Sequence, residues 1–128
     1  MLRNAFPPHS MVGTTIFHKI VRREIPADIV FEDDDIMVFK DIHPKAPLHL
    51  LFIAKRDEDF VPSIDDLTEK TAHVPGLLIR KAQQFAREHG IKGYQLRFHV
   101  GKDGGQEVFY LHLHFLSNQK LEQQQSER

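Results

Sequence analysis

Val108-Phe109-Tyr110-Leu111-His112-Leu113-His114-Phe115-Leu116-Ser117 alternates with a period of two, the spacing of a β-strand. Read so, Phe109, Leu111, Leu113 and Phe115 share one face, and Tyr110, His112 and His114 the other. The first face is core material; the second sets two imidazoles side by side. Just upstream, Gly101-Lys102-Asp103-Gly104-Gly105-Gln106 is rich in residues that accept positive φ. Its backbone N–H groups are therefore expected to converge on an anion beside the histidines. A glycine loop followed by strand histidines points to work on a phosphate. A neutral imidazole, with an ordinary pKa of about 6.5, attacks phosphorus while a second one handles a proton. Two other readings stand beside this one. His112 and His114 could be solvent-side residues of a half-exposed sheet. With His49 or His99 they could also supply three nitrogens to zinc, although no carboxylate partner is evident near the motif.

Working outward, Tyr94 to Val100 alternates as another strand, and Ile64 to Gly90 reads as one long helix. That helix takes Ser63 or Asp65 as cap, Gly90 as stop, and Leu67, Leu77, Leu78, Ile79, Ala82, Phe85 and Ala86 as core stripe; Pro75-Gly76 kinks or splits it. Leu48 to Ala54, nearly all apolar but for His49, reads as a central strand after the rigid connection His43-Pro44-Lys45-Ala46-Pro47. Asp28 to Glu32 and Ile36 to Ile42 form a hairpin around Asp33-Asp34-Asp35, which lacks the ligand spacing and glycine of a calcium loop. Thr14 or Thr15 caps a short helix through Arg23, stopped by Pro26. The pattern predicts an antiparallel α+β domain with its helices on one sheet face. His9, His18, His73 and His89 fall in tail or helix positions that suit the surface, and His43 stays undecided.

The 128 residues suit one domain, residues 13–118, with an extension at 1–12 and a glutamine-rich tail at 119–128 read as disordered. A net charge of −1 offers no broad positive field for nucleic acid. Cysteine is absent, and no apolar run is long enough to span a membrane, so the expected location is the cytoplasm.

Tyr110-Leu111-His112-Leu113-His114-Phe115-Leu116 resembles the histidine triad motif, His-φ-His-φ-His-φ-φ. Thr15-Ile16-Phe17, Arg23 to Pro26, Phe31-Glu32-Asp33, Asp41-Ile42, Ala46-Pro47 and Gly104-Gly105-Gln106 extend the resemblance to the Hint branch over residues 13–118. It implies a five-stranded antiparallel sheet with a short N-terminal and a long helix, paired in a homodimer as a continuous ten-stranded sheet. The implied activity is hydrolysis of purine nucleoside phosphoramidates or aminoacyl-adenylate-like compounds, AMP or GMP conjugates, to the monophosphate, without metal or other cofactor. A non-catalytic purine-nucleotide-binding or protein-interaction module is the alternative.

By the same resemblance, His112 is the nucleophile and His114 contacts the phosphate and assists proton transfer to the leaving amine. His49 is the buried histidine that supports them. Asp41 holds the ribose hydroxyls, Ile16, Phe17 and Ile42 line the purine pocket, and His99, Gly105, Gln106 and Glu107 border the phosphate. Tyr110 stands where the motif has its first histidine. Its main-chain carbonyl still orients the nucleophile, and its hydroxyl is expected to donate to His49, with activity reduced and raised again by Tyr110→His. His99 replaces a usual asparagine and Glu107 a frequent serine. Ser117-Asn118 replaces a glycine pair, and the chain has no tryptophan.

Overall fold

Local signals set most elements of the computed structural model, which describes residues 14–121. Thr15 caps α1 (Ile16–Val21): its hydroxyl accepts from the N–H groups of Phe17 and His18, while His18 Nδ1 accepts from Thr15 N–H at 3.0 Å. The helix ends sooner than expected, and Pro26 is not the cause. Arg23 turns left-handed at φ 65°, and Glu24 N–H closes back on the Lys19 carbonyl at 2.8 Å.

Strands β1 (Ile29–Glu32) and β2 (Ile36–Lys40) form the expected hairpin. Asp33 Oδ1 accepts from the N–H groups of Asp35 and Ile36, and Oδ2 pairs with Lys81 Nζ at 2.7 Å, so the acidic turn is a structural Asx turn. The buried strand β3 (Leu48–Ala54) follows. Residues 64–72 are not the first half of a long helix: Ile64–Asp66 is one 3-10 turn, and α2 runs from Val74 to Glu88. Pro75 explains the start, because it has no N–H to give to the preceding turn and fits the first turn of a helix, where none is needed.

Strands β4 (Gln95–Arg97) and β5 (Leu113–Ser117) complete one antiparallel sheet of order β1-β2-β3-β5-β4. Strand β5 is half as long as the alternating stretch, since Leu111 N–H donates to the Val61 carbonyl and leaves the ladder. The two-sided pattern nevertheless holds from Tyr110 onward; Phe109, 37% exposed, is not core.

Helices cover both faces, against the expectation of one. α2 packs Val74, Leu78, Ala82 and Phe85 onto Ile36, Val38, Leu50, Phe52, Leu113 and Phe115. α1 packs Phe17 and Ile20 onto Met37, Phe39, Leu51, Ile53 and Tyr110 on the opposite side. The packed chain also continues past residue 118: Gln119 bonds to Lys92 N–H and the Gly90 carbonyl, and Leu121 is buried in the first core. The expected extension at 1–12 and the tail after Leu121 lie outside the described residues. No described helix is long and apolar enough to cross a membrane.

Candidate active site

Antiparallel pairing of β3 with β5 puts His114 opposite Leu51 and therefore diagonal to His49, on the face that carries α1. His49, His112 and His114 are all buried. Hydrogen-bond geometry assigns their tautomers in sequence. Lys45 N–H donates to His49 Nδ1 at 3.0 Å, so the His49 proton sits on Nε2. That N–H donates to His114 Nδ1 at 2.9 Å, with Asp41 Oδ2 at 3.4 Å, which leaves the His114 proton on Nε2. His114 Nε2 is buried with no partner among the described residues. An unpaired buried N–H costs on the order of 1–3 kcal/mol, so an incoming acceptor is favoured there. His112 is set the other way round: its Nδ1 donates to the Tyr110 carbonyl at 2.7 Å, and the Nε2 lone pair is available.

Electrostatics keep the three rings neutral. Burial pushes His112 below the ordinary imidazole range, against the opposing effect of its bond to the Tyr110 carbonyl. Burial also lowers His49, against Asp41. His114, buried and then repelled by His112, His99 and His49, falls to about 3. A neutral ring keeps its nucleophilic lone pair.

Several expectations need correction. The Tyr110 hydroxyl donates to the Ala54 carbonyl and not to His49. Its ring lies edge-on to Phe17, His18 and Phe60, and burial raises its pKa. Tyr110 thus serves the cluster through its main chain alone. Nor is the glycine loop an open anion nest. Gly101 and Gly105 are left-handed at φ 74° and 90°, and the N–H groups of Gly101, Gly104, Gly105 and Gln106 all bond within the loop. Gln106 is a buried clamp, its amide donating to the Pro62 and Val108 carbonyls, so its side chain is not free for a ligand. The N–H groups of Glu107 and Val108 take no part in those turns. The Glu107 side chain is exposed.

Of the other expected residues, Phe17, Asp41 and His99 touch the cluster. Phe17 belongs to the core but presses edge-on against His112 at 5.0 Å. Ile16 and Ile42 are 49% and 81% exposed, so they are not core. Asp41 accepts from His43 N–H at 2.8 Å through Oδ1. His99 stacks on His114 at 4.3 Å.

Asp41, His49 and His114 bring one donor atom each within 4.8 Å of one another, which supplies the carboxylate that the zinc reading lacked. The two nitrogens nevertheless stand at 2.9 Å. Two nitrogens on tetrahedral zinc would be about 3.3 Å apart. As it stands the group is a hydrogen-bonded relay, and it omits His112.

Sequence reasoning missed the Lys45 N–H that sets the whole tautomer chain; the rigid Pro44–Pro47 connection was its only signal. His18, expected at the surface, is half-buried as the second half of the α1 cap. His73 pairs with buried Asp59 at 3.0 Å, and His89 stacks on Phe85, so both are structural. His43 is exposed, and His9 lies outside the described residues.

A five-stranded antiparallel sheet with two neutral histidines at the start of β5 and a third histidine behind them defines a class, and comparison gives it a name. Residues 14–128 match the family described as scavenger mRNA decapping enzyme C-term binding. The chain is 40% identical over 113 residues to the purine nucleoside phosphoramidase of Escherichia coli (strain K12), which covers 87% of this chain and 92% of that one. It is 45% identical over 108 residues to an uncharacterized HIT-like protein of Synechocystis sp., covering 83% and 91%. The crystal structure of a HIT family hydrolase from Legionella pneumophila Philadelphia 1 matches with a TM-score of 0.75 at 38% identity, covering 84% of this chain and 95% of that one. The chain belongs to the histidine triad (HIT) family, among relatives that bear hydrolase and phosphoramidase names.

Proposed function

We propose that the protein is a nucleotide-binding hydrolase of the Hint branch that converts purine nucleoside phosphoramidates, or aminoacyl-adenylate-like compounds, to the nucleoside monophosphate through a nucleotidyl-His112 intermediate. The observation that carries this reading is the pairing of opposite tautomers. His112 presents a lone pair and His114 an unpartnered buried N–H, with ring centres 4.9 Å apart.

His112 Nε2 attacks phosphorus, the bond to the leaving group breaks, and water then releases the nucleotide from His112. His114 Nε2–H donates to a phosphoryl oxygen as charge builds there, with its direction held by His49 and Lys45 N–H. Asp41, through the oxygen lone pairs that His43 leaves unused, accepts from the ribose hydroxyls. Ile16, Phe17 and Ile42 enclose the purine, and Gly105 and Glu107 border the phosphate. The same reading pairs two copies through β4, a short strand at the sheet edge whose Gln95 and Arg97 are exposed. No cofactor enters these steps.

The test is hydrolysis of a fluorogenic adenosine 5′-phosphoramidate by wild type and by His112→Asn, with adenosine monophosphate binding measured on the same samples. Turnover lost in the variant with binding retained supports the reading. Binding without turnover in the wild type would make the protein a nucleotide-binding module instead.

A further inference from the structure

Beyond the histidine relay lies a cavity of about 500 Å³, whose lining includes Lys45, Gln95, Arg97, Leu116 and Gln119. Strand pairing places it on the face of the relay. Arg97 stands opposite His114 and Gln95 opposite Leu116, which is also opposite His49, so these side chains share one face. The cavity therefore begins beside His114 and follows β5 toward its C-terminal end. Its far wall is tied down. Ser117 Oγ donates to the Gly93 carbonyl at 2.6 Å and accepts from Gln119 N–H at 3.0 Å, and the Gln119 amide bridges the Gly90 carbonyl and Lys92 N–H.

Two positive charges line this cavity. Arg97 is anchored by Gln95, whose Oε1 accepts from Nε at 3.2 Å and from Nη2 at 2.6 Å, which leaves Nη1 for another acceptor. Lys45 is fixed by its own N–H, which donates to His49 Nδ1. Among the described residues, neither side chain has a carboxylate partner and none that lines the cavity is acidic. Both charges are felt at the relay: after burial, which is the main cause, Arg97 and Lys45 help to lower His49.

The direction of the displacement leads here. Phe17 presses on His112 from one side, and the cavity lies past His114 on the other. In-line attack by His112 Nε2 expels the amine on the side of phosphorus away from His112. We propose that this cavity receives the leaving amine and that Arg97, with Lys45, selects amines that carry a carboxylate: phosphoramidates in which the nitrogen of an amino acid is bonded to phosphorus. A guanidinium matches a carboxylate in charge and in shape. An aminoacyl adenylate would instead bring an α-ammonium group to the same two cations, so the cavity favours phosphoramidates over that second class. Pairing of two copies through β4 uses main-chain groups and leaves Arg97 on the face of His114. This assignment rests on the phosphoramidate reading of the site.

The experiment measures kcat/KM for release of adenosine monophosphate from the adenosine 5′-phosphoramidates of alanine, of alanine methyl ester and of 1,3-diaminopropane, whose amines differ in charge. Wild type is expected to prefer the acid to the ester and the ester to the diamine. The ratio of acid to ester is read within one sample, so any loss of folded protein cancels. Arg97→Gln should lower that ratio about tenfold, the worth of one charge-assisted hydrogen bond, and Lys45→Gln about threefold. A wild type that cleaves the ester at least as well as the acid, or a ratio that Arg97→Gln leaves unchanged, overturns the role of the cavity and leaves the hydrolase reading standing. A wild type that cleaves none of the three compounds overturns both.

Discussion

The two faces of this sheet are made by the same strands, yet one is packed under a long helix and the other under a short one. On the first, fifteen-residue α2 lies over Ile36, Val38, Leu50, Phe52, Leu113 and Phe115, each fully or almost fully buried. On the second, six-residue α1 covers Met37, Phe39, Leu51 and Ile53. At 1.5 Å per residue the helices are about 22 and about 9 Å long. His49, His112 and His114 lie on the second face, with Phe17 of the short helix against His112. The difference teaches where a site can sit: on the face under the shorter helix, where a strand end can bring imidazoles together and burial keeps them neutral.

Four perturbations break or sharpen that contrast, and the largest effect is expected at the nucleophile. His112→Ala should lower kcat on the phosphoramidate by about 1000-fold or more while the urea midpoint stays close to wild type. Retained turnover would remove the chemistry from the second face. Leu78→Ala, on the first face, should do the reverse. Urea unfolding is expected to show a loss of about 3 kcal/mol, with kcat per folded molecule unchanged. A large loss of kcat there would mean that the faces are coupled.

The third perturbation is acid. His49, His112 and His114 have folded pKa values below the unfolded value of about 6.5, so the unfolded chain binds more protons as pH falls below that point. The stability these groups contribute is complete above about pH 6.5 and is lost as pH falls toward their folded values, about 3 for His114. Each such group contributes a slope of about 1.4 kcal/mol per pH unit within its window. Unfolding free energies that stay level from pH 7 to 5 would contradict the neutral cluster. The smallest effect is expected at Tyr110. Tyr110→Phe removes one buried hydroxyl bond and should cost about 1 kcal/mol, with turnover within about threefold. Tyr110→His should likewise leave turnover nearly unchanged, because the side chain at 110 faces Ala54. A tenfold gain would return that side chain to the relay.

The stretch from Tyr110 to Ser117 was legible because alternation is a local property: Leu111, Leu113 and Phe115 went to one core, and Tyr110, His112 and His114 to the other side. The hairpin was legible from Asp33, whose short carboxylate closes its own turn. The start of α2 was not, because a proline breaks a helix or opens one according to what precedes it, and residues 64–72 bring no regular apolar stripe to keep them helical. The glycine loop misled for a related reason. Glycines permit a left-handed turn, but Gln106 decides whether the turn's N–H groups face a ligand or one another, and it closes them inward.

Residue order by itself determined the strands, the hairpin and the setting of two imidazoles on one side of an alternating stretch, since period, turn chemistry and capping act over a few neighbouring residues. Only the tertiary structure decided that α1 and α2 take opposite faces and that His49 reaches His114 across 65 positions. It also decided that Lys45 N–H sets which nitrogens carry protons and that Tyr110 turns to Ala54. Those outcomes follow from β3 lying beside β5 and from the competition of whole faces for burial, which no local stretch of chain contains.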